Sequence, residues 1–159
     1  MEGTLRPGMD LVVTKWIGMR GTVQLAEAYR EELKRRFALP FIRKAEALSQ
    51  QITIHPDLEL AREFGATAWC EVSEGGVFAA LWQMAQASGV GLEMMLRQLP
   101  IRQETIEICE FFDINPYIFC RTDAFCWDVQ TAERWRVGWN SPVYRRYGRE
   151  EQPTAMTVF

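Results

Sequence analysis

The chain has 159 residues, 48% of them hydrophobic and 25% charged, the balance of a folded globular domain rather than of a disordered segment. A formal net charge of −3 excludes a protein built to neutralise a nucleic-acid backbone along its length, and no run of 18 apolar residues is present to cross a membrane. One domain with its own core is expected at this length, and the opening decapeptide lacks the charged-then-apolar order of a secretory signal, so a cytoplasmic chain is expected.

Residues 10–17, DLVVTKWI, are β-branched and apolar and read as a strand. Gly18, Gly21 and Thr22 then open a helix whose Val23, Ala26, Tyr29, Leu33 and Phe37 recur at steps of three and four. Leu39-Pro40 ends it, and a second short helix reaches about Ser49. QITIHP, residues 51–56, reads as a short strand; Pro56 stands in the first turn of a helix with Leu58, Ala61 and Phe64 inward and Gly65 as its stop. ATAWCEVS, residues 66–73, reads as a buried strand. Ser-Glu-Gly-Gly follows, then a helix from Val77 to Ala87 that is apolar on most sides and so expected to be buried. Residues 90–100 read as a strand, and residues 102–112 as a helix with Ile106, Cys109 and Phe112 on one side. After the Asn115-Pro116 turn, YIFC begins a last strand. Strands alternating with helices in this way predict a layered α/β or α+β domain.

From Cys120 to Phe159 the helical and strand periods fade. Residues 1–118 carry 12 basic and 16 acidic side chains, whereas residues 119–159 carry 6 and 5. Three of the six tryptophans, Trp127, Trp135 and Trp139, fall in this tail, and all six of its cations are arginines. The chain is therefore divided into a core, residues 1–118, and an atypical tail, residues 119–159, with no strand expected there to complete the sheet.

The four cysteines, Cys70, Cys109, Cys120 and Cys126, stand 39, 11 and 6 residues apart and form no CxxC knuckle, so they read as reduced, buried side chains rather than as zinc ligands. A single histidine, His55, leaves no Ser-His-Asp or Cys-His set. What carries chemistry is a pair of glycine turns, each between a strand and a helix: KWIGMRGT at residues 15–22 and EVSEGG at residues 71–76. Glycine lets a backbone approach a ligand closely, and the helix that follows offers unpaired N–H groups and a partial positive charge. Both turns read equally as plain turn chemistry, with Ser73 as a helix N-cap and Glu74 as a first-turn acid. Neither is a Walker loop or a dinucleotide fingerprint.

The order KWIGMRGT, then FGATAWCEVSEGGVFAALWQMAQASGVGLEM, then LPIRQETIEICEFFDINPY resembles the C-terminal domain of the aminoimidazole ribonucleotide (AIR) synthetase-related superfamily. The middle segment is most similar to its hydrogenase maturation branch. The resemblance covers residues 5 to about 118. It implies an α+β fold, a layered α/β/α domain of the PurM C-terminal type with a mixed sheet flanked by helices. It further implies an ATP-dependent synthetase-like function, with ATP and Mg²⁺ bound only together with a complementary N-terminal domain, which this chain is expected to lack. The chain is thus expected to be a detached or truncated C-terminal domain. Its ligand would be a phosphorylated small molecule or nucleotide, with backbone contacts from Gly18, Gly21, Thr22, Gly75 and Gly76. Lys15 and Arg20 would serve as counter-charges, and Ser73, Glu71 and Glu74 as hydrogen-bonding or magnesium-facing groups. Glu71 stands where many members carry Asp, and the terminal cysteine motif of the carbamoyl-dehydrating members is missing. The alternatives are a non-catalytic metabolite-binding or dimerisation module, acting as a homodimer or with a separate N-terminal chain, and an inactive remnant. Members of the superfamily continue after Asn-Pro-Tyr with Gly-x-Met-Leu and Ala-Gly-Ile-Pro. Codons shifted by one base can supply both, at residues 121–128 and 138–142, so the tail is read as frameshifted or divergent.

Overall fold

The computed structural model describes residues 1–52, 55–119, 124–129 and 154–158. In chain order these form β1 (Glu2–Gly3), β2 (Asp10–Val13), α1 (Met19–Ala28), α2 (Arg30–Leu33), α3 (Leu39–Ala47), α4 (His55–Glu63), β3 (Ala68–Val72), α5 (Gly76–Ser88), β4 (Leu92–Glu93), α6 (Gln103–Phe111), β5 (Ala124–Val129) and β6 (Thr154–Val158). The strands make one sheet in the order β1-β3-β5-β2-β6-β4. Every pairing between them is antiparallel, and the parallel component expected of the sheet is one isolated bridge between Ile17 and Ile101.

Side-chain alternation along the strands builds two cores. Leu11 and Val13 of β2, Ala68, Cys70 and Val72 of β3, and Ala124 and Cys126 of β5 face α5, which presents Val77, Ala80, Leu81 and Met84. Val12 and Trp127 face the other way, onto Leu60 and Ala61 of α4, with Trp69 packed alongside. Helices thus cover both faces, the layered α+β arrangement expected. A third cluster, Ala26, Leu33, Ile42, Ala45 and Ile108, joins α1, α2, α3 and α6 into a helical layer of their own.

Several elements depart from the sequence reading. The first strand stops at Val13, because Lys15 turns into the left-handed region (φ 58°) and breaks the ladder. Of residues 90–100 only Leu92–Glu93 is strand, followed by a 3₁₀ turn at Leu96–Gln98. α5 is buried along one face only: Trp82 is 67% exposed. In α6 the inward face is Thr105, Ile108 and Cys109, while Ile106, one position round the helix, is exposed. Tyr117 and Ile118 lie in a turn rather than a strand, with their amides donating to Asn115. In place of the 51–56 strand, residues 48–51 form a 3₁₀ turn; Thr53 and Ile54 lie outside the described residues.

The largest difference concerns the tail. Beyond the YIFC segment no strand is expected, yet β5 runs through the middle of the sheet and β6 pairs with both β2 and β4. Trp127 is fully buried. Asp128 supplies the polar signal that marks the register: its carboxylate accepts from the Thr67 and Ala68 amides at 2.7 and 2.6 Å and from the Thr67 hydroxyl at 2.6 Å. The shifted-frame reading of residues 138–142 falls outside the described residues. Among the described residues no helix is long and apolar enough to cross a membrane.

Candidate glycine-turn site

β2 and β3 both pair with β5 and both run antiparallel to it, so they run parallel to each other on its two sides. Their C-terminal ends therefore reach the same edge of the sheet. The two glycine turns leave from those ends, and the topology alone brings together two segments more than fifty residues apart.

Each turn uses glycine for its backbone. Gly18, the N-cap of α1, has φ 77°; Gly75 and Gly76, at the start of α5, have φ 81° and 66°. These angles carry a steric penalty of roughly 1–2 kcal/mol for a residue with a Cβ. Neither helix has a side-chain cap or an acidic residue in its first turn, so the partial positive charge at each N-terminus is not offset by a carboxylate within the helix. Ser73 is not the N-cap: its carbonyl accepts from the Gly76 amide at 3.0 Å, closing the turn before the helix begins. Glu74 likewise precedes the helix.

The sequence-selected residues divide into an exposed set and a buried set. Ser73, Glu74 and Gly75 are exposed at the tip of the second turn, and Arg20 is half-buried on the first turn of α1. Glu71 is half-buried and, by strand alternation, lies on the α4 face with Trp69. Lys15 is not a solvent-facing counter-charge: it is buried and forms an ion pair with Asp57 of α4, both side chains only 1% exposed. Thr22 is also buried; its hydroxyl donates to the Gly18 carbonyl at 2.8 Å and hydrogen-bonds the Thr105 hydroxyl of α6 at 2.9 Å. Gly21 and Gly76 are buried as well. Asp57 and Thr105, the partners of Lys15 and Thr22, were not singled out by sequence, since nothing in their spacing ties them to the glycine turns.

The residues that crowd the turns are Pro116–Phe119. A Cβ on Gly21 would sit 2.6 Å from Phe119 Cζ, and one on Gly76 would sit 2.8 Å from Ile118 Cα and closer still to the Tyr117 carbonyl oxygen. A Cβ on Gly18 would lie 2.9 Å from the Thr105 methyl of α6 and 3.5 Å, an ordinary contact, from the Phe119 carbonyl oxygen. Close approach is thus real at both turns, by side chains at the first and by backbone at Gly76, and the approaching groups are the protein's own.

Among the described residues no group of three or more His, Cys, Asp or Glu side chains converges. Glu71 and Glu74 offer one or two carboxylates, which suits Mg²⁺, an ion that retains waters and takes phosphate oxygens as further ligands. Cys70, Cys109 and Cys126 are free and buried. Burial pushes the Cys109 thiol up to about 11 and raises Cys70 and Cys126 as well, so none is a ready nucleophile.

Known proteins similar to this chain agree with that fold. Carbamoyl dehydratase HypE of Rhodobacter capsulatus is 26% identical over 114 residues, covering 72% of this chain and 31% of that protein. The crystal structure of E. coli HypE, a hydrogenase maturation protein, superposes with a TM-score of 0.70 at 20% identity, over 99% of this chain and 46% of that one. A structure of the hydrogenase maturation protein HypE in complex with ATP superposes with a TM-score of 0.63 at 16% identity, over 96% and 43%. The chain spans less than half the length of each of these proteins. A family model described as AIR synthase related protein, C-terminal domain, matches residues 6–123, and the chain belongs to that family.

Proposed function

We propose that this domain is the C-terminal half of a two-part, ATP-dependent, synthetase-like protein, and that its share of the work is to present the two glycine turns to the phosphates of a nucleotide or phosphorylated substrate. One observation carries this reading: α1 and α5 both start at one sheet edge, from left-handed glycines, with no acid in either first turn. Two helix N-termini at one edge favour an anion. The likeness to a HypE structure that holds ATP supports a nucleotide as that anion.

The groups available to the ligand are the exposed tip Ser73, Glu74 and Gly75, together with Arg20. Lys15 and Thr22 act from beneath, holding the first turn to α4 and α6. When Mg²⁺ is bound, it screens the phosphate charge; Glu74 and Glu71 are the carboxylates we assign to share that ion. A complementary N-terminal domain, on the same or a separate chain, supplies the rest of the nucleotide site, so this domain alone binds without turnover. Free thiols at Cys70, Cys109 and Cys126 suit a reducing compartment, and we place the protein in the cytoplasm.

The test is calorimetric titration of the chain with Mg-ATP and with inorganic pyrophosphate, in the wild type and in Arg20→Ala and Glu74→Lys. The expected result is saturable binding of both probes, weakened about tenfold by Arg20→Ala, which corresponds to about 1.4 kcal/mol. Glu74→Lys is expected to weaken Mg-ATP and tighten metal-free pyrophosphate. Binding indifferent to both substitutions would remove the glycine turns from the site.

A further inference from the structure

The chain that leaves α6 enters β5, and β5 lies between β2 and β3. On its way it passes between the two glycine turns. Pro116–Phe119 is the stretch that does so: Phe119 rests on Gly18 and Gly21, while Tyr117 and Ile118 rest on Gly76. This stretch is seated by contact. Among the described residues its hydrogen bonds are local, from the Tyr117 amide to Asn115 Oδ1 at 3.0 Å and from the Ile118 and Phe119 amides to the Asn115 carbonyl at 3.3 and 3.1 Å. The Tyr117 ring stacks on Phe78 of α5, with centroids 5.3 Å apart and planes 12° apart, and Ile118 is 53% exposed. Just before it, Asp113 holds a left-handed backbone (φ 55°) at the end of α6.

We propose that Pro116–Phe119 is a movable strap that locks the two glycine turns into one unit and competes with the anionic ligand for the ground between them. Its atoms are the ones that fill the space a missing Cβ leaves at Gly21 and Gly76, and at Gly18 its carbonyls stand in ordinary contact behind the Thr105 methyl. A phosphate that approaches either turn closely has to displace it. Because one short stretch touches both turns, displacement at one loosens the other. The competition rests on the phosphate reading above; the coupling does not.

Hydrogen exchange followed by mass spectrometry on the full chain tests the coupling. Phe119→Ala removes the ring that lies on the first turn, and Gly21→Ala keeps the ring but pushes it off that turn. Both are expected to raise exchange at least tenfold in residues 18–22 and also in residues 75–77, which Phe119 does not touch. Unchanged exchange at Val12 and Val13 in the central strand shows that the variant is folded; of the two variants, the one that passes this check decides. Faster exchange confined to residues 18–22 overturns the coupling. Titration with Mg-ATP and pyrophosphate tests the competition: the loosened variant is expected to bind at least threefold more tightly than wild type. Equal or weaker affinity in a folded, loosened variant overturns the competition. If neither wild type nor variant binds either probe, while exchange rises at both turns, the phosphate reading and the competition fall and the coupling stands.

Discussion

The close approach at Gly21 and Gly76 makes a prediction that turns on what each glycine meets. At Gly21, which lies inside α1 with ordinary helical backbone, an added Cβ collides with the Phe119 ring, 2.6 Å from Cζ and 2.9 Å from Cδ1 where about 3.5–4.0 Å is comfortable. At Gly76 the collision is with backbone, the Tyr117 carbonyl and Ile118 Cα and C, and the residue also holds φ at 66°. Overpacking costs about 1–3 kcal/mol, and the left-handed angle adds about 1–2 kcal/mol at Gly76 only. In a helix interior alanine is better than glycine by about 0.5–1 kcal/mol, which offsets part of the cost at Gly21. Gly21→Ala is therefore expected to destabilise by about 0–2 kcal/mol, and Gly76→Ala by about 2–5 kcal/mol. The sharper expectation is in the double variants. On a Phe119→Ala background the obstacle to Gly21→Ala is gone, so the substitution becomes stabilising by about 0.5–1 kcal/mol, whereas Gly76→Ala keeps its full cost. Urea unfolding of the four variants against their two backgrounds measures this. If Gly21→Ala costs as much with Phe119 absent as with it present, the ring is not what requires glycine there, and the packing argument fails.

Three further outcomes are expected. Lys15→Met alone leaves Asp57 buried without its partner and should cost about 3–5 kcal/mol, while the double variant Lys15→Met, Asp57→Leu should recover most of the loss; equal melting of the single and double variants would contradict the ion pair. Asp128→Asn replaces a carboxylate that accepts from two amides and a hydroxyl, and should destabilise by about 1.5–3 kcal/mol by chemical denaturation, with faster exchange at the Ala68 amide. Cys109 sets an alkaline limit: its thiol is held neutral in the fold up to about 11 against 9 in the unfolded chain, so the unfolded state releases the proton first. The stability this contributes is intact below pH 9 and falls by about 2–3 kcal/mol as pH rises to 11. A Cys109→Ala variant should lose that portion of the slope.

How far the sequence carries the structure depends on where the information lies along the chain. Gly65 and Gly89 mark helix ends by local chemistry, and both hold left-handed angles after the last turn. The alternation in Ala68–Val72 reports a strand with two covered faces, and the structure has helices on both. Where local pattern and fold part, a long-range partner decides. Residues 124–129 read as featureless because Asp128 interrupts an otherwise apolar run; that carboxylate is buried since Thr67 and Ala68, sixty residues earlier, supply its hydrogen bonds. Lys15 reads as a ligand counter-charge beside a turn, and only the packing of α4 on the sheet brings Asp57 to it. Residues 90–100 carry enough apolar side chains for a strand, yet Met95 and Leu96 lie 48% exposed in the approach to a 3₁₀ turn.

The same reasoning separates three roles that one letter hides. Glycine is needed at Gly89 for its positive φ, at Gly21 for the space of a missing Cβ, and at Gly75 and Gly76 for both. A sequence shows all three as a glycine near a junction of strand and helix, and phosphate approach is the inference such a turn invites where the helix follows. The topology adds the missing constraint. A strand inserted between β2 and β3 must be entered from the edge where their turns lie, so a chain segment has to run between those turns whatever ligand comes there. The glycines that line this passage answer first to the fold. Short of displacing that segment, an anion meets the groups on its outer side, and Ser73, Glu74 and Arg20 are the positions at which substitution should alter ligand affinity with little effect on stability.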